Sequence, residues 1–396
     1  MANLLSRKRW ILAKLEGSDY GVDANPLGTN AIRCTNLEIT PLAGDTIPRD
    51  TIRAYFGGSP TLVANSQVQC SITVEMASSG TAGTAPAFAP LLLACANAQT
   101  LTASPITGTP QAGASNSLTL AAGASAVNDF YNGMILTITA GLGVGSEFLI
   151  TDYVGSTKVA TLRQFQGAPV TLDDTSLYSI APSAAYSPIT DTFGVSDTSI
   201  TIYYFIDRVL HKFTGGRGTY TFSMPLGQTP TITFNFTGIY VTPEDASTPA
   251  AVYPADVVPQ IFRSTNSGSF GFLGHYGCVE SIEFDLGNQV EYRELVGCTR
   301  QVIITDRAAT GTVLVEAPLM ATKNYFTAAL DDSQGGSGAL HFLHGTTAGN
   351  RVGFIAPNVD LGQPTYSDSQ GIHMLSCPFN AIPTVAGNDE FRLVFS

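Results

Sequence analysis

Apolar and polar residues alternate in short runs along most of this chain. Asn36-Leu37-Glu38-Ile39-Thr40-Pro41-Leu42 alternates. So does Cys70-Ser71-Ile72-Thr73-Val74-Glu75-Met76, with Cys70, Ile72, Val74 and Met76 on one face. A period of two is that of a half-buried strand. Residues 199–207 and 209–213 predict a hairpin, and 219–223 and 232–236 predict further strands. Residues 85–96 carry the best helix: almost wholly apolar, with Pro90 placed for a first turn, where its missing N–H costs little. Residues 44–65 are punctuated by Pro48, Gly57, Gly58 and Pro60 and read as a long loop of the contact-making kind. The first 30 residues read as an arm with one strand over 10–15.

The same pattern then recurs. Ser281-Ile282-Glu283-Phe284-Asp285-Leu286 repeats the first strand, and Gly287-Asn288-Gln289-Val290 repeats the Gly44-Asp45-Thr46-Ile47 turn. The pair Arg293-Glu294 answers Arg49-Asp50, and Val315-Glu316 answers Val74-Glu75. An Ala-rich segment that suits a short helix follows in each copy, and strands close both: in the second, 340–343, 351–354, 372–375 and 391–395. So long a period predicts two like domains in one chain rather than a short-repeat solenoid. Like surfaces repeated within a chain suit a symmetric assembly.

At about residue 98 the composition shifts to Ser, Thr, Ala, Gly and Pro. Short strands follow near 118–120, 134–139, 148–153, 158–162 and 177–180. The expected organisation is an N-terminal arm over 1–30, a first domain over 31–97 plus 186–242, and an inserted small β domain over 98–185. A linker over 243–272 and a second domain over 273–396 complete it.

Composition narrows the function. Of 396 residues 44% are hydrophobic and only 13% charged, against a usual charged share of ~25%. Large low-charge surfaces favour extensive protein contact. A net charge of −12 argues against phosphate neutralisation, which needs clustered Lys and Arg. The one basic cluster, Arg7-Lys8-Arg9, reads as a solvated or subunit-contacting arm. The apolar run after it is broken by Lys14, too short for a secretory signal, and no run approaches a membrane span. Cys34, Cys70, Cys95, Cys278, Cys298 and Cys377 contain no C-x-x-C pair and read as small buried hydrophobes of a cytosol-made protein.

Chemistry is sparse. Gly141-Leu142-Gly143-Val144-Gly145 lacks the Lys-Ser/Thr ending of a phosphate loop and reads as a hairpin turn. His341 and His344, three apart on a strand, point to opposite faces and share no metal. Asp173-Asp174 and Asp331-Asp332 read as solvated turn acids. No nucleophile and base are connected by any motif, so neither a catalytic residue, a metal site nor a cofactor is expected.

Several stretches carry a resemblance. They are Asn36-Leu37-Glu38-Ile39-Thr40-Pro41-Leu42-Ala43-Gly44-Asp45 with Arg49-Asp50, the run from Gly80-Thr81-Ala82-Gly83 to Pro90-Leu91-Leu92, and Tyr203-Tyr204-Phe205-Ile206-Asp207-Arg208-Val209-Leu210-His211-Lys212. Thr214-Gly215-Gly216-Arg217-Gly218 and His344-Gly345-Thr346-Thr347-Ala348-Gly349-Asn350 complete the set. Together they resemble the tail tube (major tail) proteins of phages with long non-contractile tails, over nearly the whole chain outside the insert. The insert is similar to small β domains of other phage structural proteins.

The resemblance implies a mainly β fold: two tail-tube-type β-sandwich domains, each with a short flanking helix, plus a small inserted β-barrel or sandwich on the tail exterior. Such domains join edge to edge into rings, and the stacked rings form the conduit for DNA. Two units per chain then imply a homotrimeric ring with pseudo-sixfold symmetry. The implied location is the virion tail, after synthesis and assembly in the host cytoplasm. The implied partners are the tape measure, tail terminator and distal tail proteins, and DNA in transit without specific binding; no membrane is involved. An acidic lumen would repel phosphates, which makes Glu38, Glu75, Glu283, Asp285 and Glu316, on polar strand faces, the lumen candidates. Arg7, Lys8, Arg9, Arg49, Asp50 and Arg53 are the candidates for ring stacking, on the arm and on the 44–65 loop, with help from the 287–309 segment. The alternative is a virion adhesin or carbohydrate-binding protein acting through the insert. Exposed aromatics there would favour it, and the insert offers Phe130, Tyr131, Phe148, Tyr153, Phe165 and Tyr178 but no Trp.

Overall fold

A computed structural model describes residues 3–17, 19–190, 199–247, 249–255, 257–330 and 338–396; Asp331 and Asp332 lie outside the described residues. The fold is mainly β, as the alternation predicts, with two short α-helices among the described residues, Ala89–Ala94 and Tyr325–Ala328. Strands form two layers over a shared core. The inner layer is one antiparallel ladder, curled like half a barrel. Its order is Asn36–Pro48, Thr61–Glu75, Thr231–Tyr240, Val209–Pro225, Val279–Asp285, Thr310–Glu316 and Ile372–Ala381. Beyond Ile372–Ala381 lie the end of Val352–Leu361 and then Thr365–Ser369.

The two long strands bend from one layer into the other. The first part of Val209–Pro225 pairs with Ile200–Ile206 in the outer layer, which continues through Arg9–Leu15 to Ala31–Ile32. The first part of Val352–Leu361 pairs there with Gly338–His344 and with Arg392–Phe395. Arg392–Phe395 pairs in turn with Ser183–Pro188, and Ser183–Pro188 with Asn97–Thr102. The expected arm therefore holds an interior strand: Ile11, Leu12 and Ala13 are buried, and Ile11 and Leu12 are paired on both sides.

Period-two alternation builds the core directly. Cys70, Ile72 and Val74 face it from one strand, Ile232, Phe234 and Phe236 from the next, and Val313 and Val315 from a third. Phe222 stacks on Phe284 at 5.2 Å and meets Phe354 edge-on at 5.2 Å. Phe284 meets Phe391 at 5.0 Å. These rings belong to both sequence halves, so the halves share one hydrophobic core. Helix Ala89–Ala94 has Pro at its start and buries Leu91 and Leu92 fully. Its end is capped by the Asn97 side chain, which donates to the carbonyls of Leu92 and Cys95 at 3.0 and 3.3 Å. Tyr325–Ala328 starts at Asn324, whose side chain accepts from the Thr327 N–H.

Residues 106–180 form a separate seven-stranded sheet with its own core around Leu136, Phe148, Ile150 and Tyr178. This sheet lies against the outward face of the outer layer. Val394 enters its core, and Leu343 packs with Ile135 and Leu149. Arg351 pairs with Glu147 at 3.1 Å, and the Arg163 guanidinium stacks on Tyr276 at 3.7 Å.

Two expectations are revised. The 44–65 segment is mostly strand. Asn36–Pro48 and Thr61–Glu75 run through it as a long hairpin with a tip at 49–60, where Arg49 N–H donates to the Pro60 carbonyl. Proline supplies no N–H, which is why Pro48 and Pro60 mark the end of the ladder rather than of the hairpin. Gly44 sits where a Cβ would come within 2.6 Å of the Ala64 carbonyl, beside the register slips around Ala43. The cysteines also divide. Cys70, Cys95 and Cys377 are buried and Cys34 is half-buried, but Cys278 and Cys298 are exposed. Cys298 falls in the tip between Asn288–Arg293 and Gln301–Arg307, and Cys278 precedes Val279–Asp285.

Candidate functional site

Residues opposite each other in a ladder share a face. One row across the inner layer runs Glu75, Thr231, Ser223, Glu283, Thr312, Pro378. The next runs Thr73, Thr233, Thr221, Asp285, Thr310, Asn380. Glu38 lies opposite Ser71 on the same face, and Glu316 lies opposite Met374. All five acids named from the sequence thus share one face of one curved sheet. Glu38, Glu75, Glu283 and Glu316 are exposed and Asp285 is half-buried. Hydroxyl and amide side chains fill most places between them, and the opposite face is the aromatic core.

The two ends of this ladder are free among the described residues. Asn36–Pro48 pairs only with Thr61–Glu75, and Thr365–Ser369 only with Ile372–Ala381. Ala317 N–H donates to the His373 carbonyl. Odd residues of Ile372–Ala381 therefore bond toward Thr310–Glu316, and even ones toward Thr365–Ser369. Thr365, Ser367 and Ser369 bond inward, so the backbone N–H groups of Tyr366 and Asp368 point out of the sheet. Arg9 donates to the Leu37 carbonyl at 3.0 Å at the other free edge.

Where the halves meet, residues 221–225 pair with 281–285. A second contact reinforces that joint. The hairpin Asn288–Arg293/Gln301–Arg307 lies across strands Val209–Pro225 and Thr231–Tyr240. Val302 is fully buried there. Its N–H donates to the Tyr20 hydroxyl at 2.6 Å, and its carbonyl accepts from Arg217 at 3.2 Å. Asn288 donates to the carbonyls of Cys95 and Gly218 at 2.9 and 3.0 Å. Tyr20 is held by the loop after Arg9–Leu15, and buried Glu16 anchors that loop. The Glu16 carboxylate accepts from Gly21 N–H, Gly215 N–H, Ser199 and Thr201 at 2.6–2.9 Å. Burial raises the Tyr20 hydroxyl and lowers Arg217, and the nearby Tyr20 and Glu16 oppose the shift of Arg217.

The residues named for stacking fall into two sets. Lys8 donates to Asp207 at 2.7 Å, holding that carboxyl below its usual range. Arg9 is bound to Leu37, and Arg7 is exposed. Arg49 and Asp50 are exposed at the hairpin tip, while Arg53 is half-buried and donates to Thr51 and Ser59 within it. The 287–309 segment is the hairpin that lies on the first half. Sequence reasoning missed Glu16, Tyr20 and Val302 and the free edge at Thr365–Ser369. Two exposed Tyr and Asp residues in a five-residue polar strand give no apolar alternation to flag it.

In the insert, Tyr131, Phe148, Tyr153 and Tyr178 are buried and Phe130 and Phe165 half-buried. Among the described residues no group of His, Cys, Asp and Glu is placed to hold a metal, and no helix is long and apolar enough to cross a membrane.

Residues 11–381 match the family model described as phage tail tube protein. The match spans most of the 396 residues, and the chain belongs to that family. It is a structural protein of the phage tail tube. No curated protein matches the chain.

Proposed function

We propose that this tail tube protein carries two tube units and that three copies close a ring of six units. Rings stack into the conduit through which DNA leaves the virion, and assembly takes place in the host cytoplasm. Tape measure, tail terminator and distal tail proteins are the other tail components it meets. The observation that carries this reading is the repeat of one hairpin along one continuous ladder. Glu38 faces Ser71 and Glu283 faces Thr312; Glu75 and Glu316 each follow four residues later. The equivalence extends to the neighbours: Thr231 opposite Glu75 answers Met374 opposite Glu316, and Ser223 opposite Thr231 answers Ser367 opposite Met374.

Free strand edges bind other strands, and a closed ring removes them. Ser223 pairs with Glu283 inside the chain. The same operation between copies pairs Ser367 with Glu38, Tyr366 with Ile39 and Asp368 with Leu37. Ring closure turns the polar face into the wall of the lumen, so Glu38, Glu75, Glu283, Asp285 and Glu316 line it. Carboxylates among neutral hydroxyls neither neutralise phosphates nor release counterions, so DNA slides without being held. Mass measurement and symmetry averaging of assembled rings test the stoichiometry: three chains per ring are expected, and six sink the reading.

The insert lies on the face of the outer layer opposite to the polar wall, which supports a place on the tube exterior. Replacing residues 103–182 with a short Gly/Ser linker leaves Leu343 and Val394 uncovered, so Leu343→Thr and Val394→Thr accompany the excision. The expected product forms tubes of smaller outer diameter by electron microscopy. A folded product that builds no tubes would count against an external role. No observation favours the adhesin reading, because the aromatics of the insert are spent on its own core and on its contact with the tube body.

A further inference from the structure

The joint inside the chain has two parts, a strand pairing and an arm. The arm is the hairpin Asn288–Arg293/Gln301–Arg307, which emerges from the second half and lies over the first. Its counterpart from the first half is the outer part of the hairpin Asn36–Pro48/Thr61–Glu75. Ile47 lies opposite Leu62 there, as Tyr292 lies opposite Val302. Ile47 and Tyr292 each follow their strand's acid, Glu38 and Glu283, by nine residues. Yet Val302 is 0% exposed, whereas Leu62 is 54%, Val63 51% and Ile47 53% exposed. The same arm is thus docked in one half and bare in the other.

The surface that would receive the bare arm is also present and uncovered. Arg217 lies opposite Thr237, and its equivalent in the second half is Asp360 opposite Asn380. Two residues beyond Thr237 is Ile239, and two beyond Asn380 is Ile382. Asn380 is exposed, Asp360 and Ile382 are half-buried, and Val385 beside them is 110% exposed. No segment of the chain lies there among the described residues as the Val302 arm lies on Arg217. The charge at this position changes sign between the halves, from Arg217 to Asp360. The bare arm carries Arg49 and Arg53 at its tip, against the acid at the receiving surface.

We infer that the hairpin over residues 43–67 docks on the second half of a neighbouring copy in the same ring, with Leu62 at Asp360 and Ile382. It is an in-plane clasp, where the sequence pointed to a contact between stacked rings. The partner is a second copy of this chain, because the receiving surface is the internal repeat of one this chain already covers. The docking rests on the ring reading above. Docking takes its exposed apolar residues, Ile47, Leu62 and Val63, out of water.

The test is a cysteine pair, Leu62→Cys with Asp360→Cys, in a background of Cys278→Ser and Cys298→Ser to remove the exposed thiols. Assembled tubes are treated with a short bismaleimide and run on a denaturing gel. An in-plane clasp gives covalent species that stop at the ring size and a single-cysteine control that gives none. A stop at three chains supports both the clasp and the trimeric ring. A stop at six supports the clasp and overturns the trimer. A ladder that continues without a stop, or no linkage at all, overturns the clasp. A second variant keeps the question answerable if the cysteines hinder assembly: residues 44–65 are replaced by Asn-Gly. Loss of the clasp should raise the concentration needed for rings at least tenfold. Accumulation of closed, unstacked rings at the ordinary concentration would instead place the arm between rings and overturn the inference.

Discussion

Tyr366→Pro together with Asp368→Pro should abolish ring formation and leave the monomer folded. Both backbone N–H groups point away from the strand's one partner, so proline at these positions takes nothing from the ladder to Ile372–Ala381. In the proposed joint the two N–H groups are the donors that meet the carbonyls of Ile39 and Leu37, the latter in place of the Arg9 and Tyr204 donors it carries in the single chain. Inside the chain the corresponding pairs are Phe222 with Phe284 and Met224 with Ile282. Leu286 N–H donates to the Tyr220 carbonyl and Leu226 N–H to the Glu280 carbonyl, which fixes those pairs as the bonded ones. Two lost bonds at about 1 kcal/mol each, with the clash of the proline rings, come to about 3 kcal/mol per joint. That is on the order of a hundredfold in each joint equilibrium, and every ring must close several. Sedimentation at concentrations where the parent forms tubes should show monomer, with a thermal midpoint close to the parent's. Tyr366→Ala with Asp368→Ala keeps both N–H groups and should still assemble. Normal rings from the proline pair would mean that this edge is not where copies join.

Glu16→Ala should be the most damaging single substitution for the chain itself. The carboxylate is buried and satisfies four donors, two of them backbone N–H groups. Truncation leaves those donors in a dry interior beside Arg217, and each unsatisfied buried group costs about 1–3 kcal/mol. Removing one member of a buried charged cluster costs about 3–5 kcal/mol in all. The denaturation midpoint should fall accordingly. The effect should also travel. Gly21 loses its anchor, Tyr20 loses its position, and the Val302 hairpin loses a partner, so hydrogen exchange should rise over 288–307 before it rises in the core strands. A loss below about 1 kcal/mol, or exchange that rises uniformly, would refute the role given to this cluster.

The alternation of apolar and polar residues determined a great deal by itself. It located most strands of both halves, because a strand with one face in a core must repeat every two residues. It placed the apolar helix around Leu91 and Leu92. It also put Glu38, Glu75, Glu283, Asp285 and Glu316 on polar faces, since each sits between residues that must be buried. The stretches that resemble the tail tube family were legible as motifs, apart from the alternation, and the family match agrees with them. Local pattern is silent on what a polar strand faces and on which strands meet. That the five acids share one wall follows from ladder register across six strands, and register is set by tertiary packing. The 44–65 segment looked like a loop because its prolines and glycines report local backbone freedom, whereas its strands are held by pairing across the hairpin. The two arms show the difference most sharply. Both are similar in sequence pattern, yet one is docked and the other bare, because only the second half's arm points toward the other half of the same chain. Glu16 carried no signal at all, since one acid after a strand reads as solvated until folding brings Ser199, Thr201 and Gly215 around it.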